Sequence, residues 1–151
     1  MNAVVKKAEV NDIKILNKIS VESKMYWNYP KEWIDRWLDD LTLTEKDFLD
    51  QHVYKIDKSG SIIGFCSMKE KENAYEIMHL WIKPEFIGLG YGKLLLNETI
   101  KKVVTNGKVI IVEADPNSES FYSSQGFITF DKTESYPKGR FLPIMKKQLP
   151  A

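Results

Sequence analysis

Apolar residues along this chain change their period several times, and each change predicts an element. Residues 3–8 read as a first strand. Ile13, Leu16 and Ile19 then recur at helical spacing behind Asn11 and Asp12, either of which can cap a helix reaching residue 24. Pro30 suits the first turn of a second helix, on which Trp33, Ile34, Trp37, Leu38 and Leu41 share a face. Thr44 followed by Asp47 predicts a capped short helix ending near Asp50. Strand-like runs follow at 52–57, 62–70 and 75–83, separated by turns at Lys58-Ser59-Gly60 and near Glu72-Asn73. A long helix is expected over 88–105, with Lys101 and Lys102 in its last turn and Asn106-Gly107 as its stop.

Residues 109–114 form a near-continuous apolar strand, expected to be buried on both faces. A crossover helix leads into it, so it should run parallel to its neighbour. Asp115-Pro116-Asn117 closes that strand and opens a short helix, 118–125, stopped by Gly126; strands at 127–132 and 141–148 end the pattern. The order predicts an α/β fold: a mixed central sheet of about six to seven strands, flanked by about four helices, with an antiparallel front half and one central βαβ unit.

Composition narrows the function. A chain of 151 residues suits one domain, 1–151, with a sizeable core. Hydrophobic residues are 43% and charged residues 28%, which fits a soluble globular protein. A net charge of +1 gives no electrostatic footprint for nucleic acid. The single Cys66 excludes an internal disulfide and a cysteine-based metal cage, and is expected to be a small buried filler. No apolar run approaches the roughly 18 residues of a membrane span, and the first residues lack the apolar core of a signal peptide. A cytoplasmic protein is expected, with no metal, no nucleic-acid partner and no membrane partner.

The candidate chemistry starts at Ile87-Gly88-Leu89-Gly90-Tyr91-Gly92-Lys93, between an apolar strand and a helical pattern. Glycines at alternate positions let the backbone approach a ligand closely. Free N–H groups at the helix start then face an anion, and the helix dipole favours it. The segment reads as a phosphate cradle, or more plainly as a tight turn. It is not a P-loop, because Leu94 stands where Ser or Thr would hold a metal and Ile87 where the first glycine belongs. Nor is it a dinucleotide fingerprint, because Lys93 stands where the third glycine would fall.

A second motif follows one βαβ unit later: Asp115-Pro116-Asn117, Phe121-Tyr122 and Gly126-Phe127. With the element order, the two motifs resemble the GNAT superfamily of acetyl-CoA-dependent N-acetyltransferases over nearly the full chain. The glycine loop is similar to the family's pyrophosphate loop, Q/R-x-x-G-x-G/A, and the second motif to its N-x-x-x-F-Y-x-x-x-G-F element. One departure is Ile87, where the family usually carries Gln or Arg.

The resemblance implies acetyl transfer to a primary amine of a small molecule, with acetyl-CoA as cosubstrate; a non-catalytic acyl-CoA-binding domain is the alternative, and a homodimer is left open. It places the pyrophosphate at Gly88, Leu89, Gly90, Tyr91, Gly92 and Lys93, and the pantetheine arm on the main chains of Leu80, Trp81 and Ile82, with Asn117 beside it. Tyr122 matches the tyrosine that donates to the leaving sulfur, or it is a core aromatic. Glu76 matches a family general base, and a period of two puts it on one nominal face with Met78, Leu80 and Ile82 unless a bulge intervenes. His79, on the opposite nominal face, is a second candidate base or a satisfied core group. Tyr26, Trp27, Tyr29 and Arg140 are expected around the acceptor, where aromatic faces suit a cationic amine.

Overall fold

A computed structural model describes residues 2–105 and 107–150. Seven strands form one sheet in the order β1-β2-β3-β4-β5-β7-β6. They are β1 (Ala3–Lys7), β2 (His52–Lys58), β3 (Ser61–Glu70), β4 (Ala74–Ile82), β5 (Val109–Glu113), β6 (Ile128–Glu134) and β7 (Phe141–Gln148). Five α-helices accompany them: α1 (Ile13–Met25), α2 (Lys31–Leu41), α3 (Glu45–Asp50), α4 (Tyr91–Val103) and α5 (Glu119–Ser124). The expected α/β architecture is therefore observed, with five α-helices where about four were expected; α3 is the short capped helix predicted to end near Asp50. Its start follows from the Thr44/Asp47 capping box.

The helices cover the sheet on both faces. Leu95, Leu96 and Ile100 of α4 and Tyr122 of α5 pack with Ile77, Ile110, Val112 and Met145 on one face. On the other, Leu16 of α1 and Leu43 meet Val53 and Phe65, while Ile34, Trp37 and Leu41 of α2 close over Trp81 and Tyr29. Apolar spacing on α1, α2 and α4 thus buries one stripe against the sheet, with Lys24 near the end of α1 as a buried charge beside it.

Three expectations need correction. The long helix begins at Tyr91, not at residue 88, because Gly88 and Gly90 have φ of 83° and 91°. That left-handed backbone is incompatible with helix and inexpensive only for glycine. Its far end is Val103; Asn106, expected to help stop it, lies outside the described residues, while Gly107 adopts φ 82°. Finally, β5 is not buried on both faces. Ile110 and Val112 are enclosed, but Ile111 is half-buried and Glu113 exposed.

The expected parallel pairing of β4 with β5 is present, over Ala74–Ile77 opposite Val109–Val112. Beyond Ile77 the two strands separate. Opposite β3, Ser67 pairs with His79 but Met68 pairs with Ile77, so Met78 bulges out of the ladder. An extra residue reverses the alternation of side chains. Before the bulge Tyr75 and Ile77 join the α4 core; after it Leu80 and Ile82 do.

Candidate active site

The separation of β4 and β5 opens a cleft of about 450 Å³, within the usual range for ligand pockets. Its floor is the end of β4, through Leu80, Trp81 and Ile82. The direction of the main chain there can be worked out. Lys83 N–H donates to Ile63 O of β3 at 2.8 Å. A trans peptide then turns the Ile82 carbonyl away from β3 and toward the cleft. Groups two residues apart repeat that direction, so Leu80 also presents its N–H and C=O to the cleft. Among the described residues, β4 therefore offers a ladder edge with no strand partner just where β5 has left it. The Ser23 hydroxyl of α1 donates to the Ile82 carbonyl at 2.5 Å and fixes the cleft's upper edge.

At the mouth of the cleft stand Gly88, Gly90, Gly92 and Lys93. Gly90 caps α4 in the left-handed conformation, and the first backbone bond into the helix runs from Leu94 N–H to Gly90 O. The preceding N–H groups are left for a ligand. A Cβ on Gly88 would meet nothing within 4 Å, so its requirement is conformational. Leu89 is 57% exposed and does not line the cleft, while Tyr91 turns inward against Phe86. Only their main chains remain available to the cradle.

The opposite wall comes from the second motif. Asn117, Phe121 and Tyr122 face the cleft. Tyr122 is buried edge-on between Phe121 and Phe127, at centroid distances of 5.3 and 5.4 Å. Its hydroxyl has no hydrogen-bond partner among the described residues. Burial pushes the phenol well above its ordinary value, with the Cys66 side chain adding to the effect. It stays protonated and can act as a donor. Cys66, also fully buried, is pushed up to about 12 and is inert as a nucleophile.

Glu76 does not reach this cleft. The Met78 bulge overturns the nominal face assignment: Glu76 shares the side of β4 that carries His79 and Trp81, not the side of Leu80 and Ile82. Its carboxylate pairs with Lys71 at 3.4 Å. Glu113 of β5 is held above its ordinary value by partial burial and by the charge of Glu76. The two carboxylates thus sit on the half-open face of the sheet, opposite the cleft.

His79 is 8% exposed, lies 5.6 Å from the Phe65 ring, and accepts a hydrogen bond at Nδ1 from Trp81 Nε1 at 3.0 Å. Burial lowers it to about 4, and Asp47 opposes this only weakly. It is a neutral packing group that fixes the Trp81 indole. The unfolded chain binds a proton here through the ordinary pKa of 6.5, whereas the folded chain resists until about 4. Stability should therefore fall as pH drops across that window, by up to about 3 kcal/mol, and no further below it on this account. Urea denaturation from pH 7 to 4 should show a steeper loss for wild type than for His79→Gln; parallel curves would refute the assignment.

The residues expected around the acceptor divide into two sets. Trp27 lines the cleft, with Tyr26 packed edge-on against it at 4.9 Å and 47% exposed. Tyr29 and Arg140 instead meet at Asp115. Tyr29 OH donates to both Asp115 oxygens, at 3.1 and 3.2 Å, and Arg140 reaches Asp115 Oδ2 at 3.3 Å. Lys24 pairs with the same oxygen. Asp115 is partly buried, which would raise its carboxyl, but the Lys24 charge and hydrogen bond hold it below the ordinary value. Burial lowers Lys24 in turn, against the pull of Asp115. Sequence signals did not mark Ser23 or Lys24, which look like ordinary helix residues, and they placed Asp115 in the second motif without giving it a role.

An unpaired strand edge, a left-handed glycine loop and a helix start, all on one cleft of a seven-stranded sheet, define a site for an extended ligand with an anionic middle. Residues 28–149 match the family described as the acetyltransferase (GNAT) domain, and the chain belongs to that family. It is an acetyl-CoA-dependent acyltransferase. The chain is 26% identical to a spermidine N(1)-acetyltransferase of Thermoplasma acidophilum, over 84% of this chain and 89% of that protein. Its fold resembles the PaiA N-acetyltransferase of Thermoplasma acidophilum in complex with coenzyme A, at TM-score 0.73 and 23% identity, covering 98% of this chain and 99% of that one. A GCN5-related N-acetyltransferase from Rhodopseudomonas palustris superposes at TM-score 0.78 and 20% identity, covering 99% and 97%.

Proposed function

We propose that the protein transfers acetyl from acetyl-CoA to a primary amine of a small molecule, directly and across the split between β4 and β5. That split is the observation that carries the reading, since it joins a cleft with free backbone groups to a face bearing carboxylates. Acetyl-CoA supplies an activated thioester. Leu80 and Ile82 hold its pantetheine arm through the free edge of β4, as a missing strand would be held. Leu80 N–H serves as the donor at the thioester oxygen. The N–H groups after Gly88 hold the pyrophosphate, and Lys93 adds positive charge in place of the absent Gln or Arg side chain. Asn117 meets the pantetheine amides. Tyr122 donates to the departing sulfur.

On the other face, Glu76 and Glu113 attract a cationic amine, and Glu76 takes up the proton that the amine must lose. Trp27, with Tyr26, borders the point where the acetyl end and the acceptor meet, and Tyr29 and Arg140 close the adjoining loops. The relationship to an enzyme named for spermidine supports a small amine carrying more than one positive charge.

Release of free thiol from acetyl-CoA, measured against diamines, polyamines, amino acids and a lysine peptide, tests this reading. Turnover above hydrolysis is expected with small amines. Turnover with the peptide alone, or with nothing in the panel, would overturn it. The cradle has its own test. Gly90→Val forces a β-branched residue to φ 91° and should raise the Kd for CoA at least about tenfold in a protein that still folds, from backbone strain of order 1–2 kcal/mol together with the added side chain. Calorimetry giving an unchanged Kd would remove the pyrophosphate from this loop.

A further inference from the structure

We propose that Tyr29 is a positioning residue for the cofactor side of the reaction, acting through Asn117. The proposal rests on the reading above that Asn117 meets the pantetheine arm. The supporting observation is how fully the Tyr29 hydroxyl is used. It donates its one proton to Asp115, and accepts from Asn117 Nδ2 at 2.9 Å and from Arg140 at 3.2 Å. One donor and two acceptor directions are all that a phenol has.

This saturation decides the orientation of Asn117. Its amide nitrogen is drawn to Tyr29, so its carbonyl oxygen is left for the cleft that Asn117 borders. An oxygen there accepts from an amide N–H of an extended ligand; a nitrogen there would present a donor to a donor. Asp115 strengthens the arrangement, because its Oδ1 accepts from both Tyr29 OH and Asn117 backbone N–H, at 3.1 and 2.8 Å. The side chain and main chain of Asn117 are thus held by one carboxylate–phenol unit.

The Tyr29 ring is itself fixed. It lies edge-on to Trp37 at 5.0 Å, with the Lys24 and Arg140 cations each 5.1 Å from its centre. Rigid support of this kind is what keeps a binding group in its productive geometry. The residue came from the chain segment expected to touch the acceptor, yet two of its three polar partners, Asp115 and Asn117, belong to the second motif.

The test uses calorimetric binding of two ligands, CoA and 3′-phospho-ADP, which lacks the pantetheine arm. Tyr29→Phe should weaken CoA binding about 3- to 10-fold, the scale of one misdirected hydrogen bond, and leave 3′-phospho-ADP binding unchanged. Asn117→Ala should weaken CoA selectively too, and the double variant should be no weaker than Asn117→Ala alone. If Asn117→Ala binds CoA like wild type, the cofactor role of Asn117 is wrong and the proposal falls with it. If Asn117→Ala weakens CoA but Tyr29→Phe does not, or the two losses multiply, the role of Asn117 stands and positioning by Tyr29 is overturned. Equal loss of both ligands in Tyr29→Phe would assign Tyr29 to general structure, again overturning it. Should Tyr29→Phe fail to fold, NMR of wild type decides: the Asn117 side-chain amide protons should exchange slowly before and after CoA is added, and exchange like a free amide would refute the bond.

Discussion

Tyr122→Phe is expected to lower kcat for acetyl transfer by about 10²–10³ while leaving the KM for acetyl-CoA and the melting temperature near wild type. The ring fills its slot between Phe121 and Phe127 by shape alone, and the hydroxyl bonds to no described residue, so its removal should cost packing little. What it removes is a donor kept protonated by burial. A phenol raised that far strengthens a hydrogen bond to a forming thiolate more readily than it surrenders its proton. The expected loss is therefore that of one preorganised donor, and it should change little from pH 6 to 9. Steady-state kinetics on the folded variant check this. Wild-type turnover would return Tyr122 to the core.

Asp115→Ala should be the most destabilising single change at this end of the sheet, by about 3–5 kcal/mol, since it leaves two cations poorly solvated without their shared partner. Lys24 and Arg140 side chains are only 9% and 12% exposed. Both are also stacked on Trp37, at 4.6 and 4.5 Å from the ring, so neither can swing into water without unpacking the tryptophan. Removing one cation as well should relieve part of the loss. The Asp115→Ala/Lys24→Met protein is expected to be more stable than Asp115→Ala alone. Urea denaturation of the single and double variants measures both effects; a single-variant loss under about 1 kcal/mol would mean that the pair contributes no more than a surface one.

The glycine loop and the element order were legible because each is written locally. A left-handed turn selects glycine at the position where it occurs, and helix or strand period is a property of neighbouring residues. The Met78 bulge was not legible. Nothing about methionine marks an extra residue, so the alternation was extended through it and Glu76 was placed on the wrong face. The burial of β5 was misjudged for a related reason: apolar composition suits both faces, but Ile111 is only half covered. Asp115 escaped because its contacts lie 91 residues away at Lys24 and 86 at Tyr29, and no local spacing encodes such a meeting. Of the residues expected at the acceptor, Trp27 lines the cleft, whereas Tyr29 and Arg140 meet at Asp115.

Amides are the same at every residue except proline, and the open edge of β4 presents amides. Leu80 and Ile82 can therefore drift among side chains of similar bulk without altering what that edge offers. Side-chain identity matters to that edge only where the backbone itself is unusual, at the glycines, the bulge and the point where β5 departs. A chain built this way can change most of its spelling along that edge and keep its grammar.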